Sequence, residues 1–106
     1  MRMLMTLIAF QSLSLQTATA QSQGAQAQRG YRFAQTRCAS CHAIGPAGES
    51  PLGSAPPFRL LHRRYPVENL AESLAEGIAT GHPGMPQFQL DVAQIGDLIA
   101  YLKGLE

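Results

Sequence analysis

The chain is short of most of what a specialised surface would use. Only 14% of its 106 residues are charged, and the formal net charge is +1. A balance so near neutrality makes no case for nucleic acid binding. Lysine is nearly absent: the basic side chains are seven arginines and Lys103. No segment repeats, and no run alternates apolar and polar residues over the length of a strand, so neither a repeat array nor a sheet is expected. No apolar stretch is long enough to anchor the chain across a bilayer. What is left is ordinary globular apolar content, 45% of residues, in a length that suits one small domain. A domain of this size buries a modest core and often relies on a disulfide, a metal or a cofactor.

The first twenty residues stand apart from that domain. Arg2 gives a short positive start, residues 3–15 are mostly apolar with Thr6, Gln11, Ser12 and Ser14 interrupting, and Ala18-Thr19-Ala20 forms a small-x-small cleavage pattern. This reads as a secretory signal peptide over 1–20. Cleavage after Ala20 would leave a mature chain beginning QSQGAQAQ, small and polar, so 21–29 is expected to be a flexible lead-in to a domain over 30–106. Met1, Met3 and Met5 go with the leader, which leaves Met85 as the methionine of the mature chain. Loss of Arg2 leaves seven basic residues against seven acidic ones. The expected destination is the periplasm, an oxidising compartment where a disulfide is possible.

Three helices are expected, and the fold class is all-α. The first covers about 30–40 and runs into the chain's two cysteines. The second follows Pro66: Val67, Leu70, Ala71, Leu74, Ala75 and Ile78 make one apolar stripe, Glu68, Glu72 and Glu76 form a solvated acidic line beside it, and Gly81 is the expected stop. The third opens at Asp91, with Gln94 completing a capping-box pattern. Ile95, Leu98, Ile99 and Leu102 then fall on one face, and Lys103 suits the dipole at the end. The connections IGPAGESPLGSAPPF, 44–58, and TGHPGMPQF, 80–88, are rich in Gly and Pro and read as loops. Two such long loops in a small domain suggest a group they wrap around.

The cysteines occur as CASCH, Cys38 to His42. A disulfide between Cys38 and Cys41 would close a tiny loop and stabilise little. Zinc needs about four ligands, so His62 or His82 would have to join His42 and two thiolates without the spacing of a zinc module. A redox dithiol normally follows a strand, and no strand precedes this one. C-x-x-C-H is also the attachment signature of a c-type haem. Residues i and i+3 share a helix face, so two thiols at that spacing reach two vinyl groups of one porphyrin, and the adjoining His42 reaches the iron. This last reading fits the all-α, exported context best.

The ligand opposite His42 decides what such an iron does. Met85 lies between Gly84 and Pro86 with Pro83 close by, in backbone that restricts the sulfur's movement. A thioether opposite an imidazole favours ferrous iron and raises the reduction potential. His82 is the rival, His62 a weaker one, and a gap-filling core role is the alternative for Met85.

On these residues the chain resembles the class I monohaem cytochromes c, over about 30–102. Gly30 and Phe33 are similar to the family's glycine–aromatic pair in the first helix, which packs against an aromatic of the last helix, here Tyr101 with Leu98. Cys38, Cys41 and His42 match the haem-binding motif, and Met85-Pro86 matches the axial methionine. Pro56 resembles the proline whose carbonyl accepts a hydrogen bond from the ligating histidine, a role Pro57 is also placed to fill. The lysine ring that mitochondrial members carry around the haem edge has no counterpart here. Arg59, Arg63 and Arg64 are candidates to pair with the haem propionates.

The expectation is therefore a small cytochrome c fold around one covalently attached haem c, with iron held by His42 and Met85, tethered by Cys38 and Cys41 and supported by Pro56. It would carry single electrons between a redox protein donor and acceptor, as partner or subunit of a periplasmic dehydrogenase, and would not itself be an enzyme. Two alternatives stand beside it: a haem-based sensor with a displaceable sixth ligand, and a haem-free dithiol or metal-binding protein.

Overall fold

The computed structural model describes residues 8–77 and 84–106. Among them are three α-helices and no strand: α1 (Ile8–Arg37), α2 (Leu70–Glu76) and α3 (Val92–Lys103). Two 3₁₀ segments, Phe58–Arg63 and Val67–Asn69, carry the chain from the first long loop into α2. Ile78, Gly81 and His82 lie outside the described residues, as does the start of the leader over 1–7.

α1 is much longer than the expected first helix. It runs through 21–29, where the sequence suggested a flexible lead-in. Two causes act together. Alanine and glutamine, which dominate this stretch, have high helix propensity. The helix also gains tertiary contacts there, because Arg29 Nε donates to Asp97 Oδ2 at 3.1 Å on α3. Gln26 lies against Gly96 of the same helix.

α1 packs mainly on α3, and Gly30 sets how closely. A Cβ built at Gly30 would sit 2.0 Å from the Asp97 carbonyl oxygen and 2.8 Å from Tyr101 Cβ. No side chain fits in that space, so the two backbones meet only at glycine. The aromatic contact beside this crossing is made by Tyr31, whose ring centroid lies 5.4 Å from that of Tyr101 at a 51° tilt. Phe33, the aromatic expected there, packs against the central apolar cluster instead. The difference follows from helical phase: Tyr31 and Phe33 are two residues apart, about 200° around the helix, so they flank the glycine on opposite sides and Phe33 takes the inward one.

α3 begins as its sequence requires. Asp91 Oδ1 accepts from Gln94 N at 2.8 Å, and Gln94 Oε1 accepts from Asp91 N at 3.1 Å, the two halves of a capping box. Ile95, Leu98 and Leu102 are buried. They meet Ala34 of α1, Phe58 and Leu61 of the first 3₁₀ segment, Val67, Leu74 of α2 and Leu90 in one cluster.

α2 stops at Gly77, four residues before the expected Gly81. Gly77 is in the left-handed region at φ 76°, and its N–H closes on Ser73 O. The reason is tertiary. Leu90 N donates to Leu74 O at 2.9 Å, so the segment leading to α3 crosses α2 here. Of the expected apolar stripe, Val67 and Leu74 are buried and Ala75 is exposed. The acidic line is exposed, as expected, and Glu68 accepts from Lys103 Nζ at the end of α3. That hydrogen bond holds the Glu68 carboxyl below its usual range and raises Lys103. Both groups are exposed, so the pair adds little stability.

The helix crossing gives the first testable outcome. Gly30→Ala should lower stability by about 1–3 kcal/mol, the usual cost of overpacking. Gly96→Ala, where an added Cβ meets only the Gln26 side chain at 3.6 Å, should raise it by roughly 0.5–1 kcal/mol. Thermal melts of the two variants check both signs.

Candidate functional site

The end of α1 delivers the CASCH turn to the core. Cys38 N still bonds back to Ala34 O at 2.8 Å, and His42 N bonds back to Cys38 O at 2.9 Å. The chain therefore makes one more turn of helical hand after α1, which carries Cys38 and Cys41 at positions i and i+3. Both are free, half-buried thiols. Burial pushes the Cys38 thiol up to about 11, against the pull of the neighbouring Arg37 guanidinium. A group so raised is a thiol at neutral pH. A nucleophilic dithiol or a thiolate metal ligand has its pKa lowered instead. Among the described residues, no group of three or more His, Cys, Asp and Glu side chains is gathered to hold a metal ion.

His42 is 8% exposed. Its Nδ1 lies 2.7 Å from the Pro56 carbonyl oxygen. A carbonyl can only accept, so Nδ1 carries the proton and the lone pair of the neutral ring is on Nε2. The geometry chooses Pro56 over Pro57. The Phe58 ring lies 5.0 Å from the imidazole, tilted by 47°, and closes one side of it with apolar surface.

Backbone and side-chain bonds hold the loop to this turn. Leu52 N donates to Cys41 O at 3.0 Å, Ala43 N donates to Ser50 Oγ at 3.0 Å, and Phe58 N donates to Ala43 O at 2.9 Å. Tyr101 Oη donates to Ile44 O from α3. Burial raises the Tyr101 phenol, with a smaller push from Tyr31, so it stays protonated as the donor at any ordinary pH. This framework, and Ser50 above all, was invisible in a sequence that showed only a Gly/Pro-rich loop.

Cys38, Cys41, His42 and Met85 all line one cavity of about 350 Å³. Its remaining wall is largely apolar and includes Phe33, Leu61, Leu98 and Leu102. Met85 arrives on the segment between α2 and α3, and Pro56 is also on the wall. His62 is not there. It lies in the last turn of the first 3₁₀ segment and borders a separate, shallow depression with Arg63 and Glu106.

The three arginines part company. Arg64 reaches both the main cavity and the shallow depression, Arg63 reaches the shallow depression, and Arg59 Nη1 donates to Gly48 O at 2.6 Å. Arg37 also lines the main cavity. Its position directly before Cys38 was the one sequence signal for it.

This donor set fits a c-type haem. Two thiols sit one helical turn apart, an imidazole is fixed with its lone pair on Nε2, and a thioether comes from a second segment, all on the wall of an apolar cavity. The distribution of polar groups suits a flat, mainly apolar ring with charged edges near Arg37 and Arg64.

Comparison with known proteins agrees with this chemistry. The family model for cytochrome c matches residues 27–106. Cytochrome c-552 of Bradyrhizobium diazoefficiens is 30% identical over 93 residues, covering 88% of this chain and 88% of that one. No solved structure matches.

Tyr101→Phe deletes the donor to Ile44 O and leaves the ring packing intact. It should lower stability by about 1 kcal/mol, the net worth of one hydrogen bond, as read from chemical denaturation of the holoprotein.

Proposed function

This chain belongs to the cytochrome c family and carries covalently bound haem c, and we propose that it is a periplasmic one-electron carrier whose iron is ligated by His42 and Met85. Its role in electron transport follows from the family; the ligand set, the compartment and the partners are our reading. The supporting observation is that Cys38, Cys41, His42 and Met85 share one apolar cavity, with His42 fixed by Pro56. Bound haem supplies a one-electron couple at its iron.

The residues divide the remaining work. Cys38 and Cys41 tether the ring through thioether bonds. Donation from His42 Nδ1 to Pro56 O orients the imidazole and makes it a stronger ligand. The Met85 sulfur favours ferrous iron. Phe58, Leu61 and Leu98 keep water from the site, which limits reorganisation when charge changes. Arg64, on the cavity wall, pairs with a propionate.

Residues 1–20 act as the export signal and are removed after Ala20. Among the described residues, no helix is long and apolar enough to cross a membrane. The protein exchanges electrons with a redox donor and acceptor, as partner or subunit of a periplasmic dehydrogenase, and does not itself transform a substrate. The relative named cytochrome c-552 is consistent with such a carrier.

Two variants test this reading. The double variant Cys38→Ala, Cys41→Ala should yield protein whose denatured mass contains no haem; a normal covalent holoprotein would refute attachment at CASCH. Met85→Ala should let ferrous protein bind carbon monoxide at neutral pH and should lower the midpoint potential by on the order of 0.1 V, within the roughly 0.8 V that axial ligands command. If both properties stay as they were, the sixth ligand is His82 or another group.

A further inference from the structure

We propose that Ser50 is a positioning residue for the His42 ligand and that its hydroxyl helps to set the reduction potential. The inference rests on the ligation reading above and goes beyond it by naming a distant side chain that tunes the site.

The carbonyl of His42 and the N–H of Ala43 belong to one rigid unit. Anchoring the Ala43 N–H therefore fixes ψ of His42 and with it the direction of the His42 side chain. The anchor is Ser50 Oγ, at 3.0 Å.

Three other bonds join 41–43 to the loop: Leu52 N to Cys41 O, Phe58 N to Ala43 O, and His42 Nδ1 to Pro56 O. On the loop side, each of those three uses a backbone atom. Ser50 Oγ alone is contributed by a side chain, so it is the one member of the set that a substitution removes outright. It also closes the shortest span, from 43 to 50. The three wider closures are then made within a loop that has already lost much of its freedom.

Without the Ser50 hydroxyl, the His42–Ala43 peptide regains freedom and the Nδ1···O contact with Pro56 becomes longer on average. A weaker hydrogen bond leaves the imidazole with less negative character. It then stabilises ferric iron less, and the couple shifts toward the reduced form.

Tyr101 provides the control. It also donates to this segment, at Ile44 O, but it bonds neither to the His42–Ala43 peptide that Ser50 anchors nor to Pro56. Tyr101→Phe should therefore cost stability without changing His42.

The test uses the holoprotein in four variants: Ser50→Ala, Ser50→Val, Ser50→Thr and Tyr101→Phe. Three properties are read: the midpoint potential, the exchange rate of the His42 Nδ1 proton by NMR, and the melting temperature. Ser50→Ala and Ser50→Val should both raise the reduced-to-oxidised ratio at fixed potential, by about threefold for a weakened supporting bond. They should also speed Nδ1–H exchange by about fivefold, as loss of one neutral hydrogen bond implies. Ser50→Thr keeps the hydroxyl and should behave as the unsubstituted protein. Because Val matches Thr in shape, that pair isolates the hydroxyl even where Ser50→Ala folds poorly.

The proposal is overturned if Ser50→Val matches Ser50→Thr in potential and exchange, or if Tyr101→Phe moves both as far as Ser50→Val does. Failure of the ligation reading looks different. The unsubstituted protein would then lack iron-shifted His42 ring signals, which would overturn both claims together.

Discussion

The approach of α1 and α3 at Gly30 is the constraint on which the rest of the fold depends. With the Asp97 carbonyl where a Cβ would be, the two helices cross at backbone distance, and their relative position has little slack. The Arg29–Asp97 pair and the Tyr31–Tyr101 ring contact flank that crossing. Because CASCH follows α1 directly, fixing α1 on α3 also fixes where two thiols and an imidazole enter the core. Leu98 and Leu102 on the inner face of α3 then become the wall opposite them. One close contact in the scaffold thus aims the chemistry.

The second level of organisation is the hydrogen-bonded loop over 44–58. Such a loop has no core of its own, and its composition invites mobility. It is held because 41–44 each accept or donate to something outside the turn: Leu52, Pro56, Ser50 with Phe58, and Tyr101. The bond between His42 and Pro56 is the functional member of that set. It leaves the imidazole in a single tautomer, and it couples the electron density at the ring to the position of a loop. A small domain that cannot bury a large core gains order from such bonds and from the group it carries.

Much of this was legible before the structure. Asp91 and Gln94 announced the start of α3, and the Ile95, Leu98, Leu102 spacing announced its buried face, because caps and helical periodicity are local. CASCH was legible for the same reason. The features that were missed depend on distant neighbours. Gly77 ends α2 rather than Gly81, since Leu90 bonds across to Leu74 at that point. The lead-in over 21–29 is helical because its alanines and glutamines favour a helix and α3 meets its end at Gln26 and Arg29. Tyr31 rather than Phe33 meets Tyr101, a matter of helical phase at the crossing. Pro56 and Pro57 were indistinguishable in sequence and were separated only by where the His42 ring sits. Ser50, in a stretch of Gly, Pro and Ser, gave no signal at all.

The central claim is that this chain holds one haem through Cys38 and Cys41, with His42 and Met85 on the iron. The most direct measurement is made on protein exported in a host with cytochrome c maturation machinery. The intact mass under denaturing conditions is taken together with optical spectra of the oxidised and reduced forms into the near infrared. The account predicts a mass raised by one haem, sharp reduced α and β bands, and the weak sulfur-to-iron band in the oxidised form. A haem spectrum without that band would contradict Met85 as ligand, and a mass without haem would contradict the account as a whole.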